Sequence, residues 1–415
     1  MKEGWEIKKL GDVCEFSNGL WSGKKPPFQR VGVIRNANFT KECKLNDSDI
    51  VYLDVEQAQF KKRKLQYGDI ILEKSGGGPK QPVGRVVIFD KSEGDFSFSN
   101  FTSVIRIKKQ NEVDFNYLHK YLLFEYISGA TEKMQSHSTG IRNLKFDEYK
   151  EIEIPLPSNT EQQQIVSILD DCFAAIDKVK ANAAQNLINA KELFESYLQG
   201  VFEKKGVGWE EKTLNELADE VCTLSYGIVQ PGEEFENGLP VIRPTDLKSR
   251  YIKLDGLKRI NPKLADGYKR TKLNGDELLL CVRGTTGVVS IATPELKDAN
   301  VTRGIVPIRF NPIIINQEFG YYLLISNYVQ KQIRAKTYGA ALMQINIGDL
   351  RKVLIPYPSL HDQYTIVRKL DDLRAETQKL EAVYKKKIIN LDELKKSILQ
   401  KAFAGELNTN IALEL

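Results

Sequence analysis

Apolar residues recur at alternating steps of four and three in two stretches of the chain. The first runs through Ile165, Leu169, Cys172, Ile176, Val179, Ala183, Asn186, Ala190, Leu193, Tyr197 and Gly200. The second runs through Ile366, Leu370, Leu373, Thr377, Leu380, Tyr384, Lys387, Leu391, Leu394, Ile398 and Lys401. Such a heptad pattern, sustained this long, predicts a coiled-coil seam. Each helix would span about 45 residues, roughly 65 Å at the usual rise. Ser158 or Thr160 can cap the first, with Glu161 in its first turn complementing the orphan amides and the dipole. Asn186 and Lys387 put a polar group into each seam at matching depth. They either act as register keys, or the stripe drifts to Leu187 and Ile388 and leaves them at its edge.

The two stretches are copies. Pro157–Phe202 lies over Pro358–Phe403 without a gap at an offset of 201. Ile165-Val166 then meets Ile366-Val367, Leu169-Asp170-Asp171 meets Leu370-Asp371-Asp372, and Leu198-Gln199 meets Leu399-Gln400.

Period-2 patterning replaces the helical period in residues 1–156. Short β-branched runs predict strands at Val31–Ile34, Asp69–Leu72, Arg85–Phe89 and Thr102–Ile107, and Phe115–Tyr126 has helical spacing. The prolines of Ile154-Pro155-Leu156-Pro157 close this segment in extended form. Residues 209–357 repeat the plan. Trp5-Glu6 recurs as Trp209-Glu210, Cys14, Ser17 and Gly19 as Cys222, Ser225 and Gly227, and Ile34-Arg35 as Ile242-Arg243. Gly68-Asp69 recurs as Gly275-Asp276, Asn100 and Thr102 as Asn300 and Thr302, and Ile154-Pro155 as Ile355-Pro356. The offset moves from 204 to 208 and then to 201, so loops vary on a shared scaffold. The expected fold is α+β: two mixed α/β domains joined by two long helices that form an antiparallel coiled coil, with pseudo-two-fold repetition. Its parts are a first domain over 1–157, a helix over 158–205, a second domain over 206–358, a helix over 359–404 and a partly disordered tail over 405–415.

Composition narrows the classes. A chain of 415 residues, 41% hydrophobic and 28% charged, suits several globular domains. Its net charge of +5 permits a polyanionic partner without requiring one. Five cysteines without a CxxC pair suit a reducing cytosol, so a cytoplasmic location is expected. Met1-Lys2-Glu3-Gly4-Trp5 starts no apolar run, and no stretch of about 18 apolar residues exists, so neither a signal peptide nor a membrane span is expected.

Enzymatic motifs are missing. Methylating an exocyclic base amine calls for an Asp, Asn or Ser acceptor before Pro-Pro-aromatic, whereas Lys25 precedes Pro26-Pro27-Phe28. Ser75-Gly76-Gly77-Gly78-Pro79-Lys80 lacks the Gly-Lys-Ser/Thr ending and following helix of a phosphate loop. With its counterpart Arg283-Gly284-Thr285-Thr286-Gly287 it predicts a glycine-rich strand connection, either a plain turn or a place of close backbone approach. Three histidines without zinc spacing suggest no metal site, and no catalytic residue is expected.

Cations at matching places suit phosphate contact, although a charge run is more often a solvated face. They include Lys62 and Arg63 of one basic run and Lys269 and Arg270 of the other, Arg35 and Arg243, and the loop residues Lys74, Lys80, Arg283 and Thr285. Lys24, Tyr226 and Arg303 join them. The loops Gln135–Arg142 and Lys336–Gln344 add His137, Ser138, Arg142, Lys336, Tyr338 and Gln344, side chains that can read base edges. Their contents differ between copies while the frame agrees, as two unlike half-sites would require.

These features together resemble the specificity subunit of type I restriction-modification systems. The resemblance rests on Trp5–Leu10 and Trp209–Leu214, the Ile-Pro-x-Pro exits, and helix starts Glu161-Gln162-x-x-Ile165-Val166 and Asp362-Gln363-x-x-Ile366-Val367. It implies two target recognition domains, each reading half of a split duplex DNA site, and helices that set the gap and dock two methyltransferase subunits. Restriction and translocase subunits would join, and S-adenosylmethionine, ATP and Mg would be used by those partners. A specificity subunit serving a methyltransferase-only or other two-headed system, or a coiled-coil adaptor that touches no nucleic acid, would share part of this pattern. If helix length sets the gap, deleting one heptad from both helices shortens the preferred gap in selected binding sites; an unchanged gap overturns the spacer role.

Overall fold

The computed structural model of the chain describes residues 2–20, 25–78, 81–136, 140–219, 222, 224–339 and 343–407. It consists of two units, Met1–Ala184 with Lys386–Leu415, and Gln185–Lys385. The division crosses the long helices Asn159–Lys204 and Leu360–Ala404. It does so at one repeat position, since Ala184 and Lys385 stand 201 residues apart.

The first unit is layered. A four-stranded antiparallel sheet has the order Cys14–Asn18, Thr102–Ile107, Ile70–Glu73, Val86–Ile88. A second, mixed sheet has the order Val51–Glu56, Phe28–Ile34, Phe96–Phe98. Ile70, Leu72, Val86 and Ile105 pack toward the helix Phe115–Ser128, while Ile71, Val87 and Val104 pack toward Ile34 and Phe98 of the second sheet. Successive side chains of a strand point to opposite faces, so a sheet covered on both sides reads as the unbroken apolar run Ile70-Ile71-Leu72. The second unit repeats the layers, but its four-stranded sheet is mixed, in the order Tyr251–Ile252, Val289–Ala292, Leu278–Cys281, Ile305–Ile308, with the first two strands parallel. Leu278, Leu280 and Val306 face its helices, and Leu279, Cys281 and Ile305 face Ile242 and Val301. The predicted strands and helix of the first domain lie within a few residues of the observed ones.

Hydrogen bonds correct two pairings of the repeat. Ser99 N donates to Ile34 O at 2.9 Å and Thr302 N donates to Ile242 O at 2.9 Å, so Ser99 is the counterpart of Thr302 and Asn100 that of Arg303. The buried acid Asp69, paired to Arg106 at 2.6 Å, corresponds to Glu277, paired to Arg309, and not to Asp276. Short similar dipeptides aligned one to three residues out of place because loops of different length precede them.

Each long helix starts against its own domain. Ser158 is the cap, its Oγ accepting from Glu161 N at 3.3 Å. Gln162, fully buried, donates from Nε2 to Glu112 O and Pro157 O at 2.9 Å and accepts from Asp114 N at 2.8 Å. Asp114 is the cap of the helix Phe115–Ser128, so one amide ties two helix starts and the proline exit together. Gln363 does the same with Ile314 O, Pro358 O and Asn316 N at 2.8, 2.9 and 2.8 Å.

Within the first unit the two helical segments run antiparallel, with Lys180 Nζ 2.6 Å from Asp392 and Phe173 in one core with Leu399. The second segment ends with Phe403 seated on Tyr117, Tyr121 and Phe124, ring centroids 5.5, 5.0 and 5.7 Å away. Its counterpart in the second unit, Phe202, packs on Phe319 and Trp209 at 5.5 and 6.1 Å.

The predicted seam is only partly correct. Ile165, Leu169, Ile176 and Leu370 are buried and Ile366 and Leu373 half-buried, but Val179, Leu193, Leu380 and Leu394 are exposed. Asn186 and Lys387 are exposed too, and Leu187 and Ile388 stand in the covered stripe, so neither polar residue is a register key. The covered positions of the first helix are 165, 169, 173, 176, 180, 183, 187, 190, 194 and 198, nine steps over 33 residues. That is about 3.7 residues per step, close to the α-helix's own 3.6 and not the 3.5 of a heptad seam. Phe403→Ala removes a buried ring and costs about 3–5 kcal/mol. Amide exchange should quicken in Leu118–Leu122 and stay unchanged in Tyr322–Leu324; equal protection in both would refute this packing role.

Candidate nucleic-acid interface

The glycine-rich connection of the first unit leaves the four-stranded sheet as a strand, Ser75–Gly77, with no helix behind it. It pairs with Arg142–Leu144, which pairs with Gln135–Ser136. Asn36 Nδ2 donates to Ser75 O at 2.6 Å, and Ser75 Oγ donates to Asn143 Oδ1 at 2.5 Å. Gly76 has φ +98°, and an added Cβ would lie 3.1 Å from Asn36 Nδ2. The glycine is therefore needed for close packing of the loop. Among the described residues no helix N-terminus follows the loop to present its amides, as a phosphate loop requires.

Three elements converge beside this strand. Asn18 ends its own strand, Arg63 ends the helix Gln57–Arg63, and Lys74 follows Ile70–Glu73. Lys74 Nζ donates to Asn18 Oδ1 at 2.6 Å and Arg63 Nε donates to Asn18 O at 2.9 Å; Arg63 also donates to Gln59. Burial lowers the pKa of Lys74. Phe101, half-exposed, accepts from the backbone N–H groups of Lys74 and Ser75. Arg142, half-buried, stands opposite Gly77. Arg35 caps the turn that holds Asn36, and its guanidinium donates to Asp49 O at 3.2 Å and lies 3.4 Å from the exposed Asp49 carboxylate.

The second unit builds the same frame from other side chains. Gln344 bridges to Arg283 on one side and Tyr338 on the other. Gly284 N and Thr286 Oγ1 both donate to Met343 O, at 2.8 and 3.1 Å. Tyr226 donates to Ile345 O at 3.3 Å, and burial raises its pKa. Arg283, Thr285 and Arg303 are exposed. Arg243 holds the place of Arg35, but Asp246 binds it at 3.1 and 2.9 Å and raises its pKa, whereas the neutral Asn38 stands at that position in the first unit. Its charge is already compensated.

The remaining predicted residues fall elsewhere. Lys62, Lys269 and Arg270 are exposed in equivalent turns, set by Leu65 N to Phe96 O and Leu273 N to Ala299 O, both 2.9 Å. Lys336, half-buried, follows the helix Asn327–Ala335. Lys24, Lys80, His137 and Ser138 lie outside the described residues. Sequence reasoning missed Asn18, Asn36, Phe101 and Asn143. Asn18 was within reach, because it stands between Ser17 and Gly19, which recur around Tyr226. Among the described residues no group of three His, Cys, Asp or Glu could hold a metal ion, and no helix is long and apolar enough to cross a membrane.

Known proteins share this architecture. The family pattern described as "Type I restriction modification DNA specificity domain" matches residues 2–186 and again 206–390. The EcoBI type I restriction enzyme specificity subunit of Escherichia coli is 24% identical over 347 residues, 76% of this chain and 72% of that protein. The putative MjaX specificity subunit of Methanocaldococcus jannaschii is 26% identical over 421 residues, 94% of this chain and 92% of that protein. A solved chain from work on assembly and conformational transition of the type I R-M system overlays with TM-score 0.79 at 19% identity, covering 98% of this chain and 99% of that one. The HsdS subunit from Thermoanaerobacter tengcongensis overlays with TM-score 0.59 at 19% identity and 98% coverage of both chains.

Proposed function

The chain belongs to the type I restriction-modification DNA specificity family, matched over residues 2–186 and 206–390, and from that premise we propose that it is the non-catalytic reader of a bipartite DNA target. Residues 1–157 and 206–358 are the two recognition domains, and residues 158–205 and 359–404 are the spacer helices between them. One observation carries the reading. The same glycine-rich frame occurs in both units, lined by Arg35 and Arg142 in one and by Tyr226, Arg283, Tyr338 and Gln344 in the other. A shared scaffold with unlike side chains suits two different half-sites, because base edges are read by side-chain donors and acceptors.

Methyl transfer, ATP-driven translocation and cleavage fall to partner subunits, which bring S-adenosylmethionine, ATP and Mg, in the cytoplasm. A twice-repeated apolar patch supports two copies of one partner. Val179 and Leu394 in the first unit, and their repeats Leu380 and Leu193 in the second, are 37, 46, 40 and 51% exposed. Exposed apolar residues at matching places suit docking more than solvent.

Arg35→Ala and Arg142→Ala should each cost about 1–3 kcal/mol of discrimination at one half-site. Tyr338→Ala should act on the other half-site alone. Arg243→Ala should cost less than Arg35→Ala, since Asp246 already holds it. The measurement is selection of binding sites from a randomised duplex pool by the chain assembled with its modification subunits. Loss spread evenly over both halves by every variant would defeat the assignment.

A further inference from the structure

The two units differ at one place where their backbones agree. Leu20 N donates to Phe98 O and Ile228 N to Val301 O, both at 2.8 Å, so Asn18 and Tyr226, each two residues earlier, are counterparts. The turns before Leu65 and Leu273 are equivalent in the same way, which makes Thr271 the counterpart of Arg63. Lys74 N donates to Phe101 O and Val282 N to Gly304 O, while Leu144 N and Ile345 N donate back to Lys74 O and Val282 O. Val282 is therefore the counterpart of Lys74. In the second unit Thr271 and Val282 are 1% exposed and Tyr226 caps the position.

The first unit puts two cations there instead. One neutral residue touches both: Asn18 accepts from Arg63 through its backbone oxygen at 2.9 Å and from Lys74 through its side chain at 2.6 Å, and Arg63 donates besides only to the neutral Gln59 among the described residues. Among the described residues no carboxylate lies within 4.0 Å of either charge. This is unusual for a half-buried lysine, whose desolvation is normally offset by a paired acid. Elsewhere in the unit the cations Arg85, Arg106 and Lys120 each have one, at 2.7, 2.6 and 2.5 Å. The backbone holds Lys74 in place whatever its side chain, so packing alone does not account for the cation. With its Oδ1 on Lys74, Asn18 keeps its Nδ2 donors for a further acceptor. A charge-assisted site of this kind, a guanidinium, an ammonium and an amide from three elements, matches a phosphodiester oxygen pair.

We propose that Asn18, Arg63 and Lys74 form a cradle for one backbone phosphate of the half-site bound by the first unit, and that the second unit makes no ionic contact at the equivalent place. The proposal rests on the DNA-reading assignment above. It makes the two domains unequal in kind. At this place the first releases a counterion on binding and the second does not.

The test uses the chain assembled with its modification subunits and a duplex carrying its selected target. Lys74→Gln and Arg63→Gln are each expected to reduce the slope of log K against log salt by up to about 0.9, the value for one phosphate. Each should weaken every target variant by the same factor, leaving base preferences as they were. Replacing single phosphates by neutral methylphosphonates should find one position in the first half-site that weakens the wild type and does not weaken Lys74→Gln further. Tyr226→Phe should leave the slope unchanged. A variant that loses preference at one base pair with an unchanged slope would make the cradle a base contact and overturn the proposal. Unchanged binding by both variants would overturn it too. If the wild-type complex itself shows no bipartite preference, the DNA-reading assignment fails first, a result distinct from failure of the cradle alone.

Discussion

The fold of each unit depends on one buried amide. Gln162 and Gln363 are fully buried, and each satisfies two carbonyl oxygens and one backbone N–H that secondary structure leaves over. A helix start and a proline exit both strand polar backbone groups, and stranding them in a core costs a few kcal/mol apiece. Only a side chain with a donor pair and an acceptor at fixed spacing meets all three at once. The long helix thus leaves its domain in one direction, with Ile165 and Leu169, or Ile366 and Leu370, brought onto the helices of the mixed domain.

Layering follows from that anchoring. The central sheet of each unit is covered on both faces, by helices on one and a smaller sheet on the other. Its central stretches Ile70-Ile71-Leu72 and Leu278-Leu279-Leu280 are therefore apolar, while the loops leaving the sheet are free to vary. The glycine strand and its two partners extend from this rigid sheet, which explains how one frame can present Lys74, Arg142 and Phe101 in one unit and Tyr226, Arg283 and Tyr338 in the other. Sites that differ in side chains but not in backbone are what a modular reader needs.

The duplication changes charge as well as shape. Arg35 and Arg243 share a position, yet Asn38 follows one and Asp246 the other, so a single substitution three residues on gives Arg243 a carboxylate at 2.9 Å where Arg35 has only the looser contact with Asp49. Arg63 and Lys74 against Thr271 and Val282 show the same divergence on a larger scale. Repetition in sequence thus marks equivalent places without marking equivalent roles.

Periodicity and repetition, being local properties, were readable from the residues alone. The two helices, the cap of the first, the paired domains and four strands of the two main sheets of the first domain follow from side-chain spacing and turn chemistry. The equivalence of Ile34-Arg35 with Ile242-Arg243 was legible for the same reason. Tertiary structure decided the rest. The covered stripe left the heptad because it follows the α-helix's own period of about 3.6 rather than a 3.5 repeat, exposing Val179 and Leu193 and covering Leu187. The repeat marks the position of Asn18, between Ser17 and Gly19, but not its role, which comes from Arg63 and Lys74, 45 and 56 residues away. No pattern of neighbours records a contact that only the closing of the sheet brings about.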